Sequence, residues 1–135
     1  MANSIQNIGE APLFAACPQA ERDLITSLRV PMTVAAGNDI IEQGDYGSTI
    51  GVILDGRATV WRDGTQVAEL GAGDCFGELA LLAPPSDSGH RTASIRADVD
   101  CRVDTLSESD LNAELSELPN VARALRDLGE SHRSE

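Results

Sequence analysis

The chain has 135 residues, 41% of them hydrophobic and 24% charged, the composition of a globular unit long enough to bury a core without covalent staples. Its 22 acidic against 10 basic residues give a net charge of −12, which removes the general electrostatic footprint of a nucleic-acid or anionic-membrane binder. Three cysteines with no CxxC pair and two distant histidines argue against a zinc site, no apolar run approaches the ~20 residues of a membrane span, and no signal peptide is recognisable, so the expectation is a cytoplasmic protein with reduced, buried thiols and no metal.

In chain order, the first elements are helical. "APLFAAC" suits one turn after Pro12, and "QAERDLITSL" places Leu24, Ile25 and Leu28 on one face, which puts the N-terminal helices at about 12–30. From Val34 the punctuation changes to "AAGND", "QGDYGS", "LDGR", "RDGT" and "LGAGD", separated by the short β-favouring runs "DIIEQ", "TIGVIL", "RATVW" and "TQVAEL". "LDGR" and "RDGT" both read as hairpin turns, because Asp-Gly accepts positive φ. Alternation puts Ala58 and Val60 on one face, and later Cys101 and Val103 on one face with Arg102 and Asp104 on the other. The segment at about 33–106 is expected to be an antiparallel meander closed into a roll or barrel. "SESD" at Ser107 to Asp110 fits a capping box. Leu111, Leu115 and Leu118 follow at helical spacing, Pro119 starts a second helix, and Val121, Ala124, Leu125 and Leu128 form its stripe, so two helices occupy about 108–130. No internal repeat, linker or second domain is visible.

The stretch "CFGELALLAPPSDSGHRTAS", Cys75 to Ser94, carries the chemistry. Gly77 to Leu82 is long enough for a short helix, ended by Pro84 and Pro85. Its free N–H groups and dipole suit a phosphate oxygen, and the opening glycine lets backbone approach a ligand. Arg91 adds a planar, charge-assisted donor; Glu78 is an acceptor suited to sugar hydroxyls. Spacing alone admits two readings: a site for an anion carrying a free hydroxyl, or a Glu78–Arg91 ion pair closing a loop with Thr92 and Ser94 as plain strand residues.

"FGELALL" followed by "RTAS" resembles the phosphate-binding cassette of cyclic nucleotide-binding domains. "IIEQGDYGSTIGVILDG" is similar to the family's earlier strand–turn–strand block, "LGAGDCFGE" to its approach to the cassette, and the tail from Arg91 to the nucleotide-gated channel branch. The resemblance runs from about Leu13 to Leu128 and implies one domain over 1–135. The implied fold is mainly β with flanking helices: a jelly-roll-like antiparallel β-roll with N-terminal helices, an inserted phosphate-binding helix, and C-terminal hinge and lid helices.

The resemblance also implies roles. Glu78 would accept from the ribose 2′-hydroxyl, with Gly77 and Leu79 beside the sugar. Arg91 would pair with the cyclic phosphate, with Thr92 and Ala80 beside it. Leu125, Leu128 and His132 would be lid residues over the base. The implied ligand is cyclic AMP, preferred over cyclic GMP. The implied function is a non-enzymatic sensor that signals through its C-terminal helices to a protein partner or fused effector, with a homodimer as one arrangement. The alternative is a relative that keeps the fold and serves as a protein-interaction scaffold. Three features depart from the family pattern. The loop at 83–90 is long and places His90 directly before Arg91. Gly51 interrupts "IGVI", which reads as a weak point or a bulge. The lid ends soon after Leu128.

Overall fold

Short strands separated by turn residues must pair over long distances if their apolar faces are to be covered, and they do. The computed structural model describes residues 4–41, 49–76 and 93–133. Eight strands are present there: β1 (Val30–Val34), β2 (Asp39–Ile41), β3 (Thr49–Asp55), β4 (Arg57–Arg62), β5 (Thr65–Gly71), β6 (Cys75–Phe76), β7 (Ser94–Ala97) and β8 (Cys101–Ser107). They form two four-stranded antiparallel sheets, one ordered β1-β8-β3-β6 and the other β2-β7-β4-β5. The expected roll is present, but its strands are not paired in sequence as a meander would have them: among the described residues β4–β5 is the one pairing of consecutive strands.

The two Asp-Gly turns therefore differ. Asp63 and Gly64, at φ 53° and 80°, close the β4–β5 hairpin, where Arg62 faces Thr65. Asp55-Gly56 is no hairpin. It is a corner at which the chain leaves β3 in the first sheet and enters β4 in the second.

Helical turns at Ile8–Glu10 and Pro12–Phe14 lead to α1 (Gln19–Leu28). After β8 come α2 (Glu108–Ala113), a 3-10 turn (Leu115–Glu117) and α3 (Pro119–Arg133). Ser107 caps α2 by accepting from the Asp110 N–H at 3.1 Å, the hydroxyl half of the expected capping box.

Alternation along β3 divides the interior. Ile50, Val52 and Leu54 pack with Leu106 of β8 against the helices, in a cluster with Ile8, Phe14, Ile25, Leu111, Leu118, Val121 and Leu125. Ile53 points the other way, into a second cluster between the sheets with Val34, Ala58, Phe76, Ile95, Ala97, Cys101 and Val103. The layers are helices, first sheet, second sheet, and every described side chain from Ile50 to Leu54 is buried.

Candidate functional site

The stretch singled out by sequence leaves the first sheet and returns to the second. Its approach is a tight turn at Gly71–Asp74. The Asp74 N–H donates to the Gly71 carbonyl at 3.0 Å, and the Asp74 carboxylate accepts from the Gly71 N–H at 2.8 Å. Two further backbone bonds tie this turn to β3: Gly73 N–H to the Ile53 carbonyl at 2.7 Å, and Ile53 N–H to the Asp74 carbonyl at 3.0 Å. The chain then runs as β6 along β3, with Cys75 opposite Val52 and Phe76 opposite Gly51.

Gly51 owes its identity to Phe76. A Cβ on Gly51 would stand 2.2 Å from Cζ of the Phe76 ring and within 2.9 Å of two further ring atoms. The sequence reading of Gly51 as a bulge or weak point is corrected: it is in register with Phe76 and Thr105, and the irregularity of β3 falls between Ile53 and Asp55. The missing side chain is the space in which the Phe76 ring lies.

On the return, β7 pairs with β4, Ser94 opposite Trp61 and Ile95 opposite Val60. Arg96 stacks over the Trp61 ring at 5.8 Å from its centroid and reaches Asp39 at 3.3 Å, joining β7 to both neighbouring strands. Phe76 and Ile95, which flank the stretch in sequence, belong to the same inter-sheet cluster.

Gly77, Glu78, Leu79, Ala80, Arg91 and Thr92 lie outside the described residues, as do the expected short helix and the loop at 83–90 with His90. Of the expected lid residues, Leu125 is buried among Phe14, Ile25 and Val121 against the helical side of the first sheet. Leu128 and His132 fall within α3, and their side chains are outside the described set. Among the described residues no cluster of His, Cys, Asp and Glu could hold a metal ion, and no helix is long and apolar enough to cross a membrane.

Two buried carboxylates, not singled out in the sequence, organise the helical layer. Asp104 on β8 is 0% exposed; it accepts from the Ile8 N–H at 2.9 Å and from the Arg29 guanidinium at 2.8 Å. Glu21 on α1 is 6% exposed and accepts from the Asn120 N–H at 2.9 Å, the Val121 N–H at 3.1 Å and the Asn120 side-chain amide. Burial alone would raise the Glu21 carboxyl's pKa; the Asn120 side chain and the Val121 and Asn120 backbone donors outweigh it and hold the pKa below its ordinary value. Both acids could have been suspected from phase: Glu21 stands one helical turn before Ile25, and Asp104 stands two strand residues before Leu106.

All three cysteines are buried, as expected. Burial is the main cause raising the Cys17 and Cys101 thiol pKa values, with neighbouring acids adding to it.

Comparison with known proteins gives this architecture a family. A family model, "Cyclic nucleotide-binding domain", matches residues 31–117. The Homo sapiens potassium/sodium hyperpolarization-activated cyclic nucleotide-gated channel 4 is 36% identical over 118 residues, covering 87% of this chain and 9% of the channel. The crystal structure of Thermus thermophilus Catabolite Activator Protein superposes with a TM-score of 0.80 and 32% identity, covering 91% of this chain and 58% of that one. The cAMP-bound PfPKA-R structure superposes with a TM-score of 0.73 and 25% identity, covering 90% of this chain and 45% of that one. The chain thus spans about a tenth of the channel, and the shared part is the two-sheet roll with its helices; it belongs to the cyclic nucleotide-binding domain family.

Proposed function

We propose that the chain is a cyclic-nucleotide sensor, a single regulatory unit over 1–135 with no chemistry of its own. The observation that carries this reading is the family match across 31–117, a span that includes 77–92 with Glu78 and Arg91 in the order a phosphate-and-ribose site requires. Arg91 pairs with the cyclic phosphate beside Thr92 and Ala80. Glu78 accepts from the ribose 2′-hydroxyl beside Gly77 and Leu79. Phe76 and Ile95, which flank this stretch in sequence, lie in one inter-sheet core, and this supports a site between them.

The preferred ligand is cyclic AMP over cyclic GMP, a preference supported by the likeness to cAMP-bound PfPKA-R. Helix α3 serves as the lid, with Leu128 and His132 as its contact residues, while Leu125 holds the helix against Phe14, Ile25 and Val121. Signalling follows from the difference in nucleotide affinity between lid positions, since only a differential affinity shifts the equilibrium. The output is a protein partner or a fused effector in the cytoplasm, with a homodimer as one arrangement.

Titration calorimetry with both nucleotides on wild type and Arg91→Ala tests the assignment. Arg91→Ala is expected to weaken binding by about 2–5 kcal/mol, as removal of one partner from a desolvated charge pair does. Equal affinity of mutant and wild type would falsify the role of Arg91. A wild type that binds neither nucleotide would favour the protein-interaction scaffold, and loss of intact cyclic AMP during long incubation would point to an enzyme instead.

A further inference from the structure

Helix α3 begins without a cap of its own. Pro119 occupies its first position, and the preceding residue is Leu118, whose apolar side chain is 0% exposed and has no oxygen to offer the free N–H groups of the first turn. Its backbone makes the ordinary first helical bond, Leu118 carbonyl to Ala122 N–H at 2.9 Å. The missing cap comes from another element. The Glu21 carboxylate, 99 residues earlier in the chain, takes the Asn120 N–H at 2.9 Å and, on the same oxygen, the Val121 N–H at 3.1 Å, while its second oxygen takes the Asn120 side chain. A negative charge at that end also meets the positive pole of a helix running to Arg133.

Helix α1 is itself fastened. Just past its end, Arg29 reaches the fully buried Asp104 of β8 at 2.8 Å, and the Gly9 backbone packs so closely on α1 that a Cβ there would stand 2.8 Å from the Arg22 carbonyl. The base of α3 is therefore attached to a helix that is attached to the roll.

We propose that Glu21 is a positioning residue for nucleotide binding: by capping α3 from α1 it fixes the base of the lid, so the nucleotide has to order only the rest of that helix. This rests on the sensor reading above. A lid whose base is already held loses less conformational freedom on closing, and the ligand is bound more tightly without touching Glu21. The effect is expected in the dissociation rate, because the lid acts after the cassette is engaged.

The test compares wild type, Glu21→Gln and the milder Asn120→Ala, measuring cyclic AMP affinity and dissociation rate together with residue-resolved amide exchange. Glu21→Gln should weaken binding about five- to tenfold through faster dissociation. Exchange should rise more at Asn120 and Val121 than at Ile53 and Val103 in the sheets, which follow only the change in global stability. Asn120→Ala should show the same pattern in smaller measure, and the double variant should fall well short of the sum, since the two residues act through each other. Unchanged affinity in Glu21→Gln overturns the proposal. So does exchange that rises equally throughout the chain, because that marks a general loss of stability. A wild type that binds no cyclic nucleotide overturns the sensor reading and, with it, the role of Glu21 in affinity; exchange at Asn120 and Val121 then reports separately whether the cap exists.

Discussion

The two sheets use similar strands in different surroundings. The first, β1-β8-β3-β6, is exposed along the first four residues of its edge strand β1, but its β8 and β3 are covered by helices on one face and by the second sheet on the other, and β3 reads as a nearly unbroken apolar run. The second, β2-β7-β4-β5, has one face in the inter-sheet core and the other toward solvent, and β5 is exposed over its first five residues. Their polar fastenings differ in the same way. The first sheet and its helices are joined through the buried acids Asp104 and Glu21; the second is joined across its strands by the half-exposed Arg96 and its partners Asp39 and Trp61. Buried polar groups are expensive to leave unmatched, whereas exposed ones fall back on water. Substitutions of similar chemistry should therefore have unequal effects in the two regions.

The sharpest test is Asp104→Ala, which strands the Ile8 N–H and the Arg29 guanidinium. A loss of about 2–4 kcal/mol in denaturant unfolding is expected. Gly51→Ala forces a methyl group into the Phe76 ring and should destabilise by about 1–3 kcal/mol; in calorimetry it should also weaken nucleotide binding, because Phe76 directly precedes Gly77.

Glu21→Gln should lose about 1–2 kcal/mol near neutral pH as charge-assisted bonds to α3 weaken. The sign of its pH dependence follows from its depressed pKa. The unfolded chain takes up the proton at higher pH than the folded one, so the stabilisation is complete above the ordinary carboxylate pKa and is lost as pH falls through the folded value. Thermal melts of wild type and variant should therefore converge on acidification. The smallest effect is expected for Arg96→Ala in the second sheet, about 0.2–1 kcal/mol, because its side chain is 52% exposed. A loss there as large as that of Asp104→Ala would erase the distinction between the sheets.

Periodicity located what depends on neighbours in sequence. It placed α1, the cap at Ser107, the start of α3 at Pro119 and the shared face of Cys101 and Val103, because helix turns and strand pleats repeat over a few residues. It misread what depends on distant partners. Asp55-Gly56 and Asp63-Gly64 are chemically alike, and only the pairing of β3 with β8 rather than β4 makes the first a corner between sheets. Gly51 looked like a defect until the Phe76 ring was seen beside it. Glu21 and Asp104 looked like two more acids in an acidic chain, since their donors lie 99 and 75 residues away. For the candidate site, Glu78 and Arg91 rest on a motif resemblance and lie outside the described residues; the turn at Gly71–Asp74 was legible as "LGAGD", while its bonds to β3 and the Arg96 stack became visible only as three-dimensional arrangements.

The place of β8 has a consequence for how the protein is made. It lies between β1 and β3, with Thr105 opposite Val30, yet it is the last of the eight described strands in sequence. Among the described strands β1 pairs with β8 alone, so until β8 leaves the ribosome the first sheet cannot close. The acid that caps α3 is made 99 residues before the residue whose N–H it takes. Such a chain gains little by folding piecemeal during translation; its native contacts arrive together, late, and over long stretches of sequence. A nascent chain stalled before Cys101 should still be open to protease, and one extended past Arg133 should resist it.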